Sequence, residues 1–138
     1  MSQEMNYRDF EVMLRLQRLA HVNLHFETTK RFWTLDRDLS VQMQINAALT
    51  DNEIRVRERK EIPKDFTFNK VGFTCAKDSD QIEKLWNSIP YWAFESYDIV
   101  RSLDNCIELN GIGASKGNAL MDLTQRLKIS PEDVMVFG

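Results

Sequence analysis

The sequence has only two cysteines, Cys75 and Cys106, far apart and forming no C-x-x-C pair. That excludes a disulfide scaffold and a cysteine-based zinc site, and predicts reduced, buried thiols. Long apolar runs are missing as well. The stretch Ile89 to Phe94 is far too short to cross a bilayer, and MSQEMNYRDF shows no basic region followed by an apolar one, so no secretory signal is expected. The expected compartment is the cytoplasm. Charge of one sign is not in excess, since 18 Lys and Arg face 21 Asp and Glu for a net −3. Such a balance gives no general attraction for nucleic acid or an anionic membrane, and neither is expected as a partner. Glycine and proline are scarce, at five and three residues, and no repeat or low-complexity segment is present. With 43% apolar and 28% charged residues in 138, the chain has the make-up of one folded domain.

Periodicity supplies the elements. Asn6 is a plausible N-cap for a helix carrying Phe10, Met13, Leu14 and Ala20 near helical spacing. The period then changes to two: Val22, Leu24 and Phe26 alternate with Asn23, His25 and Glu27 as a half-buried strand. Thr28 to Lys30 turns the chain, and Arg31 to Leu35 returns as the second arm of a hairpin. A second helix is predicted from Leu39 to Leu49, capped by Asp38 or Ser40 and stopped by Asp51-Asn52. Glu53 to Arg59 reads as an exposed or edge strand, where charge discourages pairing with another chain. Phe68 to Cys75 is a further strand. Asp78-Ser79-Asp80 opens a third helix with Ile82, Leu85, Trp86 and Ile89. Tyr97 to Ser102 and Asn105 to Leu109 form a second hairpin around Leu103-Asp104. Hairpins interrupted by helices predict an α+β layer, an antiparallel-rich mixed sheet with helices packed on one face.

The last thirty residues differ in character. Ser115 to Leu127 has a helical apolar face, and Val134 to Phe137 is an apolar strand without alternation, of the kind covered on both faces in a parallel sheet. Between the last hairpin and this helix lies Asn110-Gly-Ile-Gly-Ala-Ser-Lys-Gly-Asn118. Glycines allow a sharp turn, and a helix N-terminus offers free N–H groups to an anion. Lys116 adds a full positive charge where the helix dipole disfavours one, which points to a held phosphate or carboxylate. The plain alternative is a Gly-rich loop with a solvated lysine. Two familiar glycine motifs fail on spacing. A P-loop needs the hydroxyl after its lysine, whereas Ser115 precedes Lys116; Gly111, Gly113 and Gly117 give GxGxxxG, not the dinucleotide GxGxxG.

The ordered series Glu108-Leu109, Gly113-Ala-Ser-Lys-Gly117, Asn118-Ala-Leu120, Leu127-Lys-Ile-Ser-Pro-Glu-Asp133 and Val134 to Gly138 resembles the run towards the end of Cof-type phosphatases of the haloacid dehalogenase superfamily. The preceding hundred residues resemble that family's large inserted cap, including the Phe26-to-Leu35 hairpin and the Asp36-Arg37-Asp38 turn. The resemblance implies a cap over residues 1–109 and, over 110–138, a helix–strand piece of the family's Rossmann-like α/β core. It implies a magnesium-dependent phosphatase of small phosphate monoesters, such as sugar phosphates, working through an aspartyl-phosphate. Lys116 then matches the lysine that contacts the phosphoryl group and the nucleophilic carboxylate, with Ser115 and Gly117 completing the phosphate loop. The family's nucleophile and Ser/Thr motifs belong upstream of everything present, and its metal-binding aspartates fall beyond Gly138. The chain is therefore expected to be a fragment, inactive by itself, holding no metal, while a complete parent would use Mg2+ and a small phosphorylated metabolite. The rival is a non-catalytic ligand-binding or protein-interaction module derived from such a cap.

Other residues have a chemical and a plain reading. His21 and His25, with Glu27 nearby, are the right types for a metal site but lack a third ligand of strength, so a structural role is favoured. Trp86, Tyr91, Trp92 and Phe94 line a substrate pocket or, as the favoured reading, form core packing plus a helix end. Arg55, Arg57, Arg59, Lys60 and Lys64 attract a phosphorylated substrate or, with Glu53, Glu58 and Glu61 interleaved, form a solvated edge; the second is favoured. Val134 to Phe137 is expected to pack against the cap or to pair with a second copy in a homodimer.

Overall fold

A computed structural model describes residues 4–76 and 78–112. The expectations placed on residues 113–138 lie outside the described residues: the Lys116 loop, the Ser115-to-Leu127 helix, the final apolar strand and its homodimer. Helix α1 (Tyr7–Gln17) starts where the sequence predicts. Asn6 accepts from the backbone N–H groups of Arg8 and Asp9, while Asp9 accepts from the Asn6 N–H, closing a capping box. Its inner face buries Phe10, Met13 and Leu16.

The hairpin follows as β1 (Asn23–Glu27) and β2 (Arg31–Thr34), antiparallel with Phe26 opposite Trp33. Helix α2 (Val41–Leu49) is capped by the Ser40 side chain, which accepts from the Met43 N–H. The helix is stopped at Asp51, whose φ of 54° is left-handed. Strand β3 (Glu53–Val56) then pairs with β2 in parallel, a relation that alternation alone does not reveal. A 3-10 turn over Arg59–Glu61 leads to β4 (Lys70–Thr74), which pairs antiparallel with β1. Helices α3 (Gln81–Ser88) and α4 (Tyr91–Ser96) precede the second hairpin, β5 (Tyr97–Leu103) and β6 (Cys106–Gly111). The strands form one six-stranded sheet in the order β3-β2-β1-β4-β6-β5. All its pairings are antiparallel except β2–β3. This is the α+β architecture the hairpins predict.

Alternation along the strands divides the sheet into two faces. One carries Leu24, Phe26, Trp33, Val71, Phe73, Ile107 and Leu109 and packs beneath Phe10, Met13 and Leu16 of α1 and Ile82 and Leu85 of α3. Phe10, Phe26 and Phe68 pack in series, tilted and then edge-to-face, with ring centroids 4.8 and 5.0 Å apart, each burying the large apolar area that dominates a small core. Helix α2 departs from the expected arrangement. Its Met43 and Ala47 pack with Phe32 and Ile54 in a second, smaller cluster, and Phe32 points away from Trp33. Helix α2 therefore covers part of the opposite face. The reason is the parallel β2–β3 step, which requires a crossover element over one face of the sheet.

The chain comes into the sheet and leaves it at the same end. Met5 bridges Phe68, just before β4, while Lys70 opposes both Glu27 and Asn110, and Gly111 opposes Tyr97. Tyr97 donates from its hydroxyl to Asp9 in the first turn of α1, tying the incoming helix to β5 at that end.

Candidate functional site

On the face that α2 covers only in part, the register lines up polar side chains. Glu27, Lys70 and Asn110 form one row, and His25, Gly72 and Glu108 the next. Of these, Glu27, Lys70, His25, Gly72 and Glu108 border a groove of about 150 Å³, together with Asn46, Leu49 and Thr50 at the C-terminal end of α2. Lys70 Nζ lies 3.7 Å from Glu108 Oε2. Burial, opposed by Lys70 and reinforced by Glu108, raises the Glu27 carboxyl above its usual range.

His25 forms the floor. It is buried and lies flat on Phe32, ring centroids 4.1 Å apart. Its Nδ1 has no hydrogen-bond partner among the described residues. Burial, and then the Lys70 ammonium, lower its pKa from 6.5 to about 4, so the imidazole is neutral at pH 7. A glycine at position 72 makes room for this ring: a β-carbon there would come within 3.0 Å of three imidazole atoms. Cys106 also borders the groove, its thiol pushed up first of all by burial. Its neighbour in register space, Cys75, belongs to the main core instead, and both are free thiols.

A second, wider cleft of about 800 Å³ lies at the far end of the sheet, bordered by Arg18, His21, Arg37, Asp38, Arg59 and Gln81. Asp36 stands there too, and its carboxylate is taken up by the fold. It accepts from Leu24 N at 2.8 Å and from Gln17 Nε2 at 3.0 Å to each oxygen, pinning the end of β2 to α1 and β1.

The residues singled out from the sequence fall as follows. Ser115, Lys116 and Gly117 lie outside the described residues. His21 and His25 are not brought together: His21 is exposed in the turn after α1, its backbone N–H donating to Gln81 Oε1 at 2.8 Å, whereas His25 and Glu27 share the groove. No group of three His, Cys, Asp or Glu side chains able to hold a metal ion occurs among the described residues. Tyr91, Trp92 and Phe94 stand on the short helix α4 and not in the core, against the core part of the favoured reading, being 78%, 48% and 40% exposed. Only Ala93 of α4 is buried, because the six-residue helix turns one small side chain inward, while Phe94 packs edge-on against the half-buried Trp86 at 5.5 Å. The basic stretch is a solvated edge: Arg55 pairs with Glu53, Arg59 with Glu11 and Lys60 with Glu58. Arg57 and Lys64 lie over the Trp33 and Tyr7 rings. Lys70, Gly72 and Glu108 are the groove residues that sequence reasoning passed over. The signal was the polar phase of β4 and β6, alternating with Val71, Phe73, Ile107 and Leu109.

The sheet thus presents a polar face that α2 covers in part, while α1 and α3 back the other face. The haloacid dehalogenase-like hydrolase family matches the chain over residues 1–138, and the chain belongs to that family. It is 30% identical over 134 residues to the Bacillus subtilis (strain 168) protein named "Putative phosphatase YxeH", covering 97% of this chain and 49% of that protein. It is 25% identical over 136 residues to "Putative phosphatase M6_Spy0533" of Streptococcus pyogenes, with the same two coverages of 97% and 49%. In fold it is similar to a haloacid dehalogenase-like hydrolase from Bacteroides thetaiotaomicron, with a TM-score of 0.65 at 18% identity over 95% of this chain and 48% of that one. The chain thus spans about half the length of the curated relatives it matches.

Proposed function

We propose that this chain is the cap, with a short adjoining piece of the core, of a Cof-type, magnesium-dependent phosphatase that hydrolyses a small phosphorylated metabolite. The observation that carries this reading is the shared end of the sheet. A domain inserted into a catalytic body needs both connections on one side, and Met5 and Gly111 provide them. The groove of Glu27, Lys70 and Glu108 lies towards the same end. In this reading one substrate has its leaving group in the groove and its phosphate at Lys116.

In this reading a carboxylate of the complete protein attacks phosphorus, the alcohol leaves with a proton, and water hydrolyses the resulting aspartyl-phosphate. Lys116 supplies fixed positive charge where the phosphoryl charge is spread, with Ser115 and Gly117 shaping the loop. Mg2+ supplies further neutralisation of that charge. Among the described residues no three His, Cys, Asp or Glu side chains group to hold it. The experiment is turnover of phosphate monoesters by the complete protein carrying Lys116→Ala. Loss of turnover by roughly 100-fold or more, with the cap still folded, is expected; turnover equal to that of the unsubstituted protein overturns the reading.

A further inference from the structure

The groove's own chemistry narrows what it can hold. Its polar lining divides into groups already engaged and groups still open. Asn46 accepts from Gln42 Nε2 at 2.8 Å and donates to Cys106 Sγ, while Thr50 donates to the Asn46 carbonyl at 2.7 Å. These polar groups are used within the fold. Glu27, Glu108 and Lys70 are not closed in the same way: the single ion pair among them is loose, at 3.7 Å, and both its side chains are more than a third exposed. His25 adds a buried imidazole whose Nδ1 lacks a partner among the described residues, a cost that buried polar groups rarely bear without a purpose. Two carboxylates against one ammonium leave the lining one negative charge in excess, with the imidazole neutral. About 150 Å³ holds on the order of five water-sized groups at ~30 Å³ each.

An anion entering this space meets two carboxylates and a single ammonium, loosely paired with Glu108 at 3.7 Å. A group that donates hydrogen bonds meets carboxylate oxygens on both sides of Lys70 and a neutral imidazole beneath. We propose that the groove of Glu27, Lys70 and Glu108, floored by His25, binds a small hydrogen-bond-donating group without negative charge, hydroxyls or an ammonium. Resting on the phosphatase reading above, this group is the leaving-group end of the substrate, so substrates with a second anionic group there are excluded. Gly72 keeps the floor at its present depth, because a β-carbon there would come within 3.0 Å of three imidazole atoms.

Binding is tested on the 138-residue chain itself, separately from turnover. Backbone amide shifts are followed by NMR while erythritol, ethanolamine and lactate, compounds of similar size, are added in turn. Shifts confined to His25, Gly72, Lys70 and Glu108 with erythritol or ethanolamine, and weaker with lactate, are expected. Lactate binding as strong as either, or no shift localised to the groove with any of the three, overturns the proposal. The double variant Glu27→Gln with Glu108→Gln leaves Lys70 unopposed and should tighten lactate roughly tenfold, as two nearby charges in water-like surroundings would require; unchanged lactate affinity in a folded variant also overturns it. Because Lys116→Ala turnover tests the phosphatase reading alone, a failure of one is told apart from a failure of the other.

Discussion

Gly72 and His25 sit face to face on adjacent strands, the glycine leaving the space that the imidazole edge fills. The ring cannot retreat, because its other side rests on Phe32 with planes only 12° apart.

Gly72→Ala should therefore destabilise the fold by about 1–3 kcal/mol, the usual cost of overpacking a rigid site. Urea unfolding of the two proteins measures it. A loss under about 0.5 kcal/mol, the size of a neutral surface change, would show that the ring has somewhere to go.

Acid should weaken the fold through the same imidazole. Unfolded His25 takes up a proton near its ordinary pKa of 6.5, while the folded ring resists until about 4. Its contribution is fully present above pH 6.5 and is lost as pH falls towards 4, up to roughly 3 kcal/mol at 1.36 kcal/mol per pKa unit. Denaturation midpoints at pH 7, 5.5 and 4.5 should fall in that order. In His25→Phe this slope should be shallower; the same slope in the variant would mean that other groups produce it.

Asp9 joins two parts of the fold, accepting from the Asn6 N–H at 2.8 Å and from the Tyr97 hydroxyl. Burial and then this bond hold the Tyr97 pKa above its ordinary value. Asn6→Ala removes a cap worth about 0.5–2 kcal/mol. Asp9→Ala removes a capping partner and orphans the Tyr97 hydroxyl, so it should cost more than Asn6→Ala by roughly 1 kcal/mol. Thermal unfolding ranks the two, and the opposite ranking would sink this account of Asp9.

The 138-residue chain alone should release no phosphate from a chromogenic phosphate ester in the presence of magnesium. It carries the matched Lys116 but not the nucleophile or acidic motifs on which the proposed reaction depends. Sustained magnesium-dependent release that disappears in Lys116→Ala would be incompatible with reading it as a cap piece.

Much of this fold is legible because its signals are local. Asn6 announces α1 three residues before Asp9 completes the box, and the switch to period two at Val22 marks β1 without help from the rest of the chain. Distant cover is what the sequence conceals. His25 stands in the polar phase of β1, where alternation predicts a wet side chain, yet it is buried, its ring stacked on Phe32. Tyr91 and Trp92 show the reverse, since an apolar run reads as core until the one-turn geometry of α4 turns them out. The candidate groove suffered most, because Lys70 and Glu108 are unremarkable in their own strands and acquire meaning only when the β4–β6 register sets them side by side.

The shared end of the sheet also bears on how such a unit is made. A segment whose ends are already neighbours closes a loop in its host that is no longer than the gap between them, so insertion adds little closure entropy to the host's own folding. Every strand of the described sheet finds a partner within residues 4–112, from β3 at one margin to β5 at the other. On the cap reading proposed above, splicing at two positions on one side leaves every strand pair of the described sheet intact.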